Sequence, residues 1–157
     1  MTQLGREQVG HFLRQQGEEL TRIWRVARAS ERPQLAYGLI DALVLPFFDG
    51  AGVLLAGGAA PGAVWAGLCG LVRWPPPLVP GELTAEWALV LDVLGAACES
   101  VNAAPPVLVW LTRAVEVCSE GVAALRGDRP GDRAPGVVAV LVFSGYEVPA
   151  RGDADTQ

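Results

Sequence analysis

The sequence predicts an all-α protein, a helical bundle of about five or six helices. Three observations predict it. Apolar residues recur at spacings of three, four and seven along five separate stretches. Gly- and Pro-rich segments stand between those stretches, where helices must stop. Apolar residues make up 51 % of the 157-residue chain and charged ones 18 %, ample material for a core and too little charge for disorder.

The length suits one domain, since domains commonly hold about 100–150 residues. We assign residues 1–126 to the bundle and 127–157 to a linker and tail. The first stretch is an amphipathic helix carrying Val9, Phe12, Leu13, Leu20, Ile23, Trp24 and Ala27 on one side. Arg14, Glu18, Arg22 and Arg25 take the other side, with Glu18 placed four before Arg22 in the favourable acid-first order. Ser30 to Pro33 closes it.

In the second stretch Leu35, Leu39, Leu43 and Phe47 repeat at four. Pro46 cannot donate to the preceding turn, so it starts a new helix or kinks this one. Gly57 to Gly62 then reads as a turn. Beyond it Val64, Trp65, Leu68, Leu71 and Val72 share a side, up to the consecutive prolines of Trp74 to Pro77. Such prolines favour an extended strut and suit a rigid connection better than an SH3-type ligand.

Gly81 to Val101 is the clearest helix, with Leu83, Trp87, Val90, Leu91, Leu94, Cys98 and Val101 in one stripe. Asn102 to Pro106 breaks it. Val107, Leu111, Val115, Cys118, Val122 and Leu125 mark the last helix. Gly127 to Gly136 is a low-complexity linker with a GDRP and GDRA near-repeat. The valine-rich run Val137 to Phe143 has strand-like length and composition. It docks on the bundle, pairs with a partner strand or forms a final helical turn. The residues from Pro149 read as disordered.

One feature bears on membranes. No charged residue occurs from Gly50 to Val72, a run of 23 positions, and a spanning helix needs about 20 apolar residues. The Gly57 to Gly62 turn splits this run into two pieces of about ten residues, too short to span. We therefore read it as the most buried helical hairpin of a bundle. The alternative is a membrane-associated protein that inserts residues 50–72.

Net charge is −5 and uneven. Residues 1–32 hold six Arg, four acids and the only histidine; residues 33–125 hold eight acids against Arg73 and Arg113. An acidic middle repels phosphate backbones and argues against nucleic-acid binding. The three cysteines, Cys69, Cys98 and Cys118, are odd in number and lie in apolar contexts without a CxxC. They suit free thiols in a reducing cytoplasm. The polar first 30 residues contain no apolar leader segment.

Catalysis finds little support. A single histidine, His11, leaves no imidazole cluster for a metal, and it sits on a polar-edged helix as a surface residue. No HExxH, GxSxG or phosphate loop occurs. Haem lacks an axial-ligand motif, so no cofactor is expected. Glu82 and Glu86 stand four apart, which a solvated first turn explains; Asp92 and Glu99 follow on the same helix. Asp41 and Asp49, each embedded in apolar sequence, read as helix-edge or capping residues. The RGD at Arg151 to Asp153 is read as chance. Five tryptophans are many for this length, and aromatic residues concentrate in cores and interface centres. Trp24, Phe47, Trp65, Trp87 and Trp110 are the candidate interface or pocket residues. An apolar-ligand carrier would use Phe47, Trp65 and Trp87.

The order of elements carries a family resemblance. Trp24 lies in EELTRIWRVARA, Leu45-Pro46 in LIDALVLPFFDGAGVLL, and Glu86-Trp87 in LTAEWALVLDVL. This resembles the N-terminal sensor domain of RsbR-type stressosome proteins, which also precedes bacterial histidine kinases. The family has a Trp near the end of its first helix, a Leu-Pro step before helix three and a Glu-aromatic step in a long later helix. The resemblance spans roughly Leu4 to Leu125. It implies a globin-like bundle without haem, usually dimeric, that acts as a signal-input or protein-interaction module. Its partner would be a kinase, an anti-sigma protein or a stressosome-type protein. Two departures are the lack of a kinase or phospho-acceptor domain after the bundle and a Gly-rich 50–70 region. Both favour a non-enzymatic, stand-alone regulatory module.

Overall fold

A computed structural model describes residues 2–31, 33, 40–72 and 80–125, with the backbone alone at 80–82. Leu35, Leu39, the Trp74 to Pro77 strut, the Gly127 to Gly136 linker, the Val137 to Phe143 run and the terminal tail lie outside the described residues, as does the Glu82 side chain. The chain divides into one compact unit over Met1–Val122 and a second over Ala123–Gln157.

The described residues are all-α. They form α1 (Arg6–Gln15), α2 (Gly17–Glu31), α3 (Asp41–Ala56), α4 (Ala63–Leu68), a 3₁₀ turn (Cys69–Leu71), α5 (Pro80–Ser100) and α6 (Pro105–Leu125). The predicted helical bundle is therefore present.

The first amphipathic stretch is two helices, not one. Gln16 breaks it, although Gln16 N still donates to Phe12 O and Leu20 N to Gln16 O. The break brings Gly17 against α3, where a Cβ would meet Asp49 Oδ1 at 2.9 Å and Leu45 Cδ1 at 3.3 Å. The Thr21 hydroxyl donates to the Gly17 carbonyl at 2.7 Å and so stays satisfied while buried. Val9, Leu13, Leu20 and Trp24 are buried as the spacing predicts, whereas Ile23 is 40 % exposed.

Pro46 neither ends nor starts a helix: α3 runs through it. The reason is position. Pro46 is the sixth residue of α3, so it removes only the bond to the carbonyl of Ala42, an exposed residue that water can serve.

Helices α1 and α3 cross with their backbones in direct contact at Gly10 and Gly52, both buried. α3 ends in a Schellman motif. Gly58 N donates to Leu55 O and Ala59 N to Leu54 O, with Gly58 at φ +78, the left-handed region that glycine tolerates. α5 ends the same way at Asn102, φ 56, with Asn102 N donating to Glu99 O and Ala103 N to Cys98 O. Asparagine is the usual substitute there. Pro105 then opens α6, where a missing N–H costs nothing.

The N-terminal arm is strapped to that second turn. Leu4 N donates to Asn102 O and Ala104 N to Leu4 O, each at 2.9 Å, making a parallel bridge between Leu4 and Ala103.

The uncharged run Gly50 to Val72 is divided among the end of α3, the turn, α4 and the 3₁₀ turn. Among the described residues no helix is long and apolar enough to cross a membrane. Nor is the run the most buried hairpin. Ala51, Leu55, Val64 and Leu68 face the core, but Val53 is 50 % and Leu71 39 % exposed. The helix after the turn is only six residues, which leaves too few turns to sustain a full stripe.

Candidate functional site

The five candidate aromatic residues fall into two groups. Trp24, Phe47 and Trp87 lie in the core where α2, α3 and α5 meet, each at 0–1 % exposure. Phe47 and Trp87 make an edge contact, with centroids 5.9 Å apart and planes at 69°. Phe48 meets Phe47 in the same manner. Such pairs add about 0.5–1.5 kcal/mol beyond area burial.

Trp65 and Trp110 tie the 57–68 segment to α6. A Cβ on Gly121 would fall onto the ring of Trp65, so the indole lies flat where α6 offers no side chain. Trp110 Nε1 donates to the Ala59 carbonyl at 2.8 Å and anchors the turn between α3 and α4. Trp65 thus makes its close contact with α6, while Phe47 and Trp87 contact each other.

The most unusual chemistry is at Glu86, which the sequence suggests is solvated. It is instead 0 % exposed. Its Oε1 accepts from the Ile40 amide at 3.0 Å, just before α3 begins. Its backbone carbonyl accepts from Trp24 Nε1 at 3.1 Å. Both bonds are buried, and Glu86 makes further polar interactions as well. Arg28, one turn beyond Trp24 on α2, is also buried at 4 % exposure and engaged. Buried carboxylates and guanidinium groups are rare unless bonded.

A spacing signal for both existed. Glu86 stands three after Leu83 and four before Val90, on the edge of the apolar stripe of α5. Arg28 stands four after Trp24 and eight after Leu20. For Glu86, residue type outweighed position in reading it as solvated.

The surface charges do structural work. Arg22 pairs with Glu19, not with Glu18, through two hydrogen bonds. That contact lowers the pKa of Glu19 and raises that of Arg22. Arg25 grips Asp41 with bonds of 3.1 and 3.2 Å, linking α2 to the first residue of α3. Asp49 is exposed and lies over Gly17. His11 is exposed on α1.

Cys69, Cys98 and Cys118 are free thiols. Burial raises the pKa of each, that of Cys118 to about 12. None is a thiolate at neutral pH, so none is primed as a nucleophile. Among the described residues no group of three or more His, Cys, Asp or Glu could hold a metal ion.

On the outer side of α6 a shallow, mostly apolar groove follows Pro105, Leu108, Val109, Thr112, Arg113 and Glu116. Val109 is 68 % exposed there. No protein family, curated protein or solved structure matches the chain.

Proposed function

We propose that the protein is a non-enzymatic regulatory or sensory module that dimerises and binds a signalling partner, of the kinase, anti-sigma or stressosome type. The observation that carries this reading is the placement of the buried polar groups. Glu86 and Trp24 bond helix to helix instead of lining a cleft. A structure held in this way converts a small change at one helix into a change of packing at another, which is what a relay needs.

The exposed apolar groove on α6, around Val109, offers a partner a place to pack. The resemblance to RsbR-type sensor domains supports it too. Two of its positions meet in the core, where Trp24 Nε1 donates to the backbone carbonyl of Glu86. Its third position, Leu45-Pro46, lies inside α3 and not ahead of a helix. Three free, protonated thiols fit a cytoplasmic setting.

Light scattering after gel filtration, over a range of protein concentrations, tests the reading. A dimer that forms with rising concentration supports it. A strict monomer at every concentration overturns it.

A further inference from the structure

We infer that Glu86 is a conformational latch that fastens the start of α3 to α5 and can let go without unfolding the bundle. The inference rests on the sensory reading above, since a latch matters only if helix packing is the signal.

The first observation is energetic. A buried carboxyl group gives up its hydration and must find its partners inside the protein, here the Ile40 amide and further polar interactions. Replacing a buried polar group by an apolar side chain of similar size is often neutral or stabilising. The best-attested use of a buried polar group is to select one arrangement of the surrounding elements.

The second observation is geometric. Through one residue, three elements are joined: the side chain holds the Ile40 amide, the backbone carbonyl holds Trp24 Nε1, and the residue itself belongs to α5. Only the first of these uses the carboxylate. The Glu86 carbonyl would still accept from Trp24 if the side chain were changed.

The third observation separates this site from the rest of the bundle. α1 and α3 are locked at Gly10 and Gly52 by backbone contact, more than two turns further along α3. The α2–α5 contact keeps the Trp24 bond. Release of Ile40 from Glu86 therefore loosens the start of α3 from α5, with the partly exposed Arg25–Asp41 pair left as a polar tie to α2, while the crossing of α1 and α3 stays closed. This is local opening of the kind that proteins use for switching elements.

Native-state hydrogen exchange on the full chain tests the latch, with denaturant unfolding measured in parallel. The Ile40 amide is expected to be protected in the wild type. Glu86→Leu should raise its exchange rate at least about tenfold, the loss expected for one buried hydrogen bond. Amides of Val9, Leu13 and Leu55 should keep their rates relative to global stability. Glu86→Gln, which retains an acceptor at the same place, should restore most of the Ile40 protection. Equal loss of protection across α1, α3 and α5 in Glu86→Leu would overturn the inference, as would an unprotected Ile40 amide in the wild type. If Glu86→Leu fails to fold, unchanged Ile40 protection relative to global stability in Glu86→Ala overturns it, and selective loss there supports it. Light scattering on the same samples keeps the two readings apart. A monomer with selective Ile40 release ends the dimer reading alone, and a dimer without it ends the latch alone.

Discussion

Gly10 and Gly52 each occupy the space that the other's side chain would need. A Cβ on Gly10 would lie 2.5 Å from the Gly52 carbonyl oxygen, and one on Gly52 would lie 2.6 Å from the Gly10 carbonyl oxygen. The obstacle is backbone in both directions, so no rotamer change relieves it. Gly52→Ala gains up to about 1 kcal/mol of helix propensity but overpacks a rigid crossing, at a typical cost of about 1–3 kcal/mol. We expect a net loss of stability, and the same for Gly10→Ala. Gly50→Ala and Gly95→Ala, where a Cβ meets nothing within 4 Å, should instead be neutral or stabilising. Urea unfolding of the four variants checks the contrast.

Gly121→Ala places a methyl group in the ring of Trp65. The indole must swing off α6, and the segment around α4 loses one of its two anchors there. We expect a loss of about 1–3 kcal/mol and a red shift in tryptophan emission as Trp65 gains water. Unchanged emission and stability would count against the packing described here.

Trp24→Phe keeps the ring volume approximately but removes the donor to the Glu86 carbonyl. The expected cost is about 1–2 kcal/mol, combining the lost bond and a small void. Arg25→Ala, which breaks the partly exposed pair with Asp41, should cost less, about 0.2–1 kcal/mol, and its effect should shrink in salt. Comparing the two variants at low and high salt separates a buried contact from a screened one.

Thiol burial predicts an alkaline limit to stability. The Cys118 thiol has its pKa pushed from 9.0 to about 12 by desolvation, and Cys98 moves in the same direction. The unfolded chain ionises these thiols first, so their contribution is fully present below pH 9 and is lost as pH rises from 9 towards 12. Thermal melts of the wild type and Cys118→Ala across that window should differ in slope, with the variant less sensitive. At pH 8 an alkylating reagent should reach Cys69 first and Cys118 only on unfolding.

Much of this architecture was legible in residue spacing. The stripes of α5 and α6 are long and uninterrupted, and a helix of 21 residues shows its period clearly. The Gly57 to Gly62 turn was legible because glycine and proline act locally. For Pro46 the sequence left a new helix or a kink open, because its cost depends on how far it stands from the helix start, which spacing alone does not define. Gln16 carried no breaking signal; the bend there follows from how Gly17 packs on Leu45 and Asp49, a tertiary fact. Glu86 shows the same limit for burial. A charged residue on an apolar stripe reads as a helix edge until its partners across the bundle are known. Trp24, Phe47, Trp65, Trp87 and Trp110 were singled out as candidate interface or pocket residues, and nothing in their spacing indicated that Trp65 belongs with Gly121 and Trp24 with Glu86.

The strap at Leu4 bears on the order in which the chain assembles. Leu4 bonds to Asn102, and the Asn102 side chain reaches back to the Thr2 carbonyl across 100 positions. During synthesis α1 can meet α3 long before the turn after α5 leaves the ribosome. The arm is therefore among the last pieces to be secured, closing a long loop after the helices it bridges are in place. A bulky group fused directly ahead of residue 2 would act on that final step. Its mark would be a slow late phase in refolding, not a change in the early collapse.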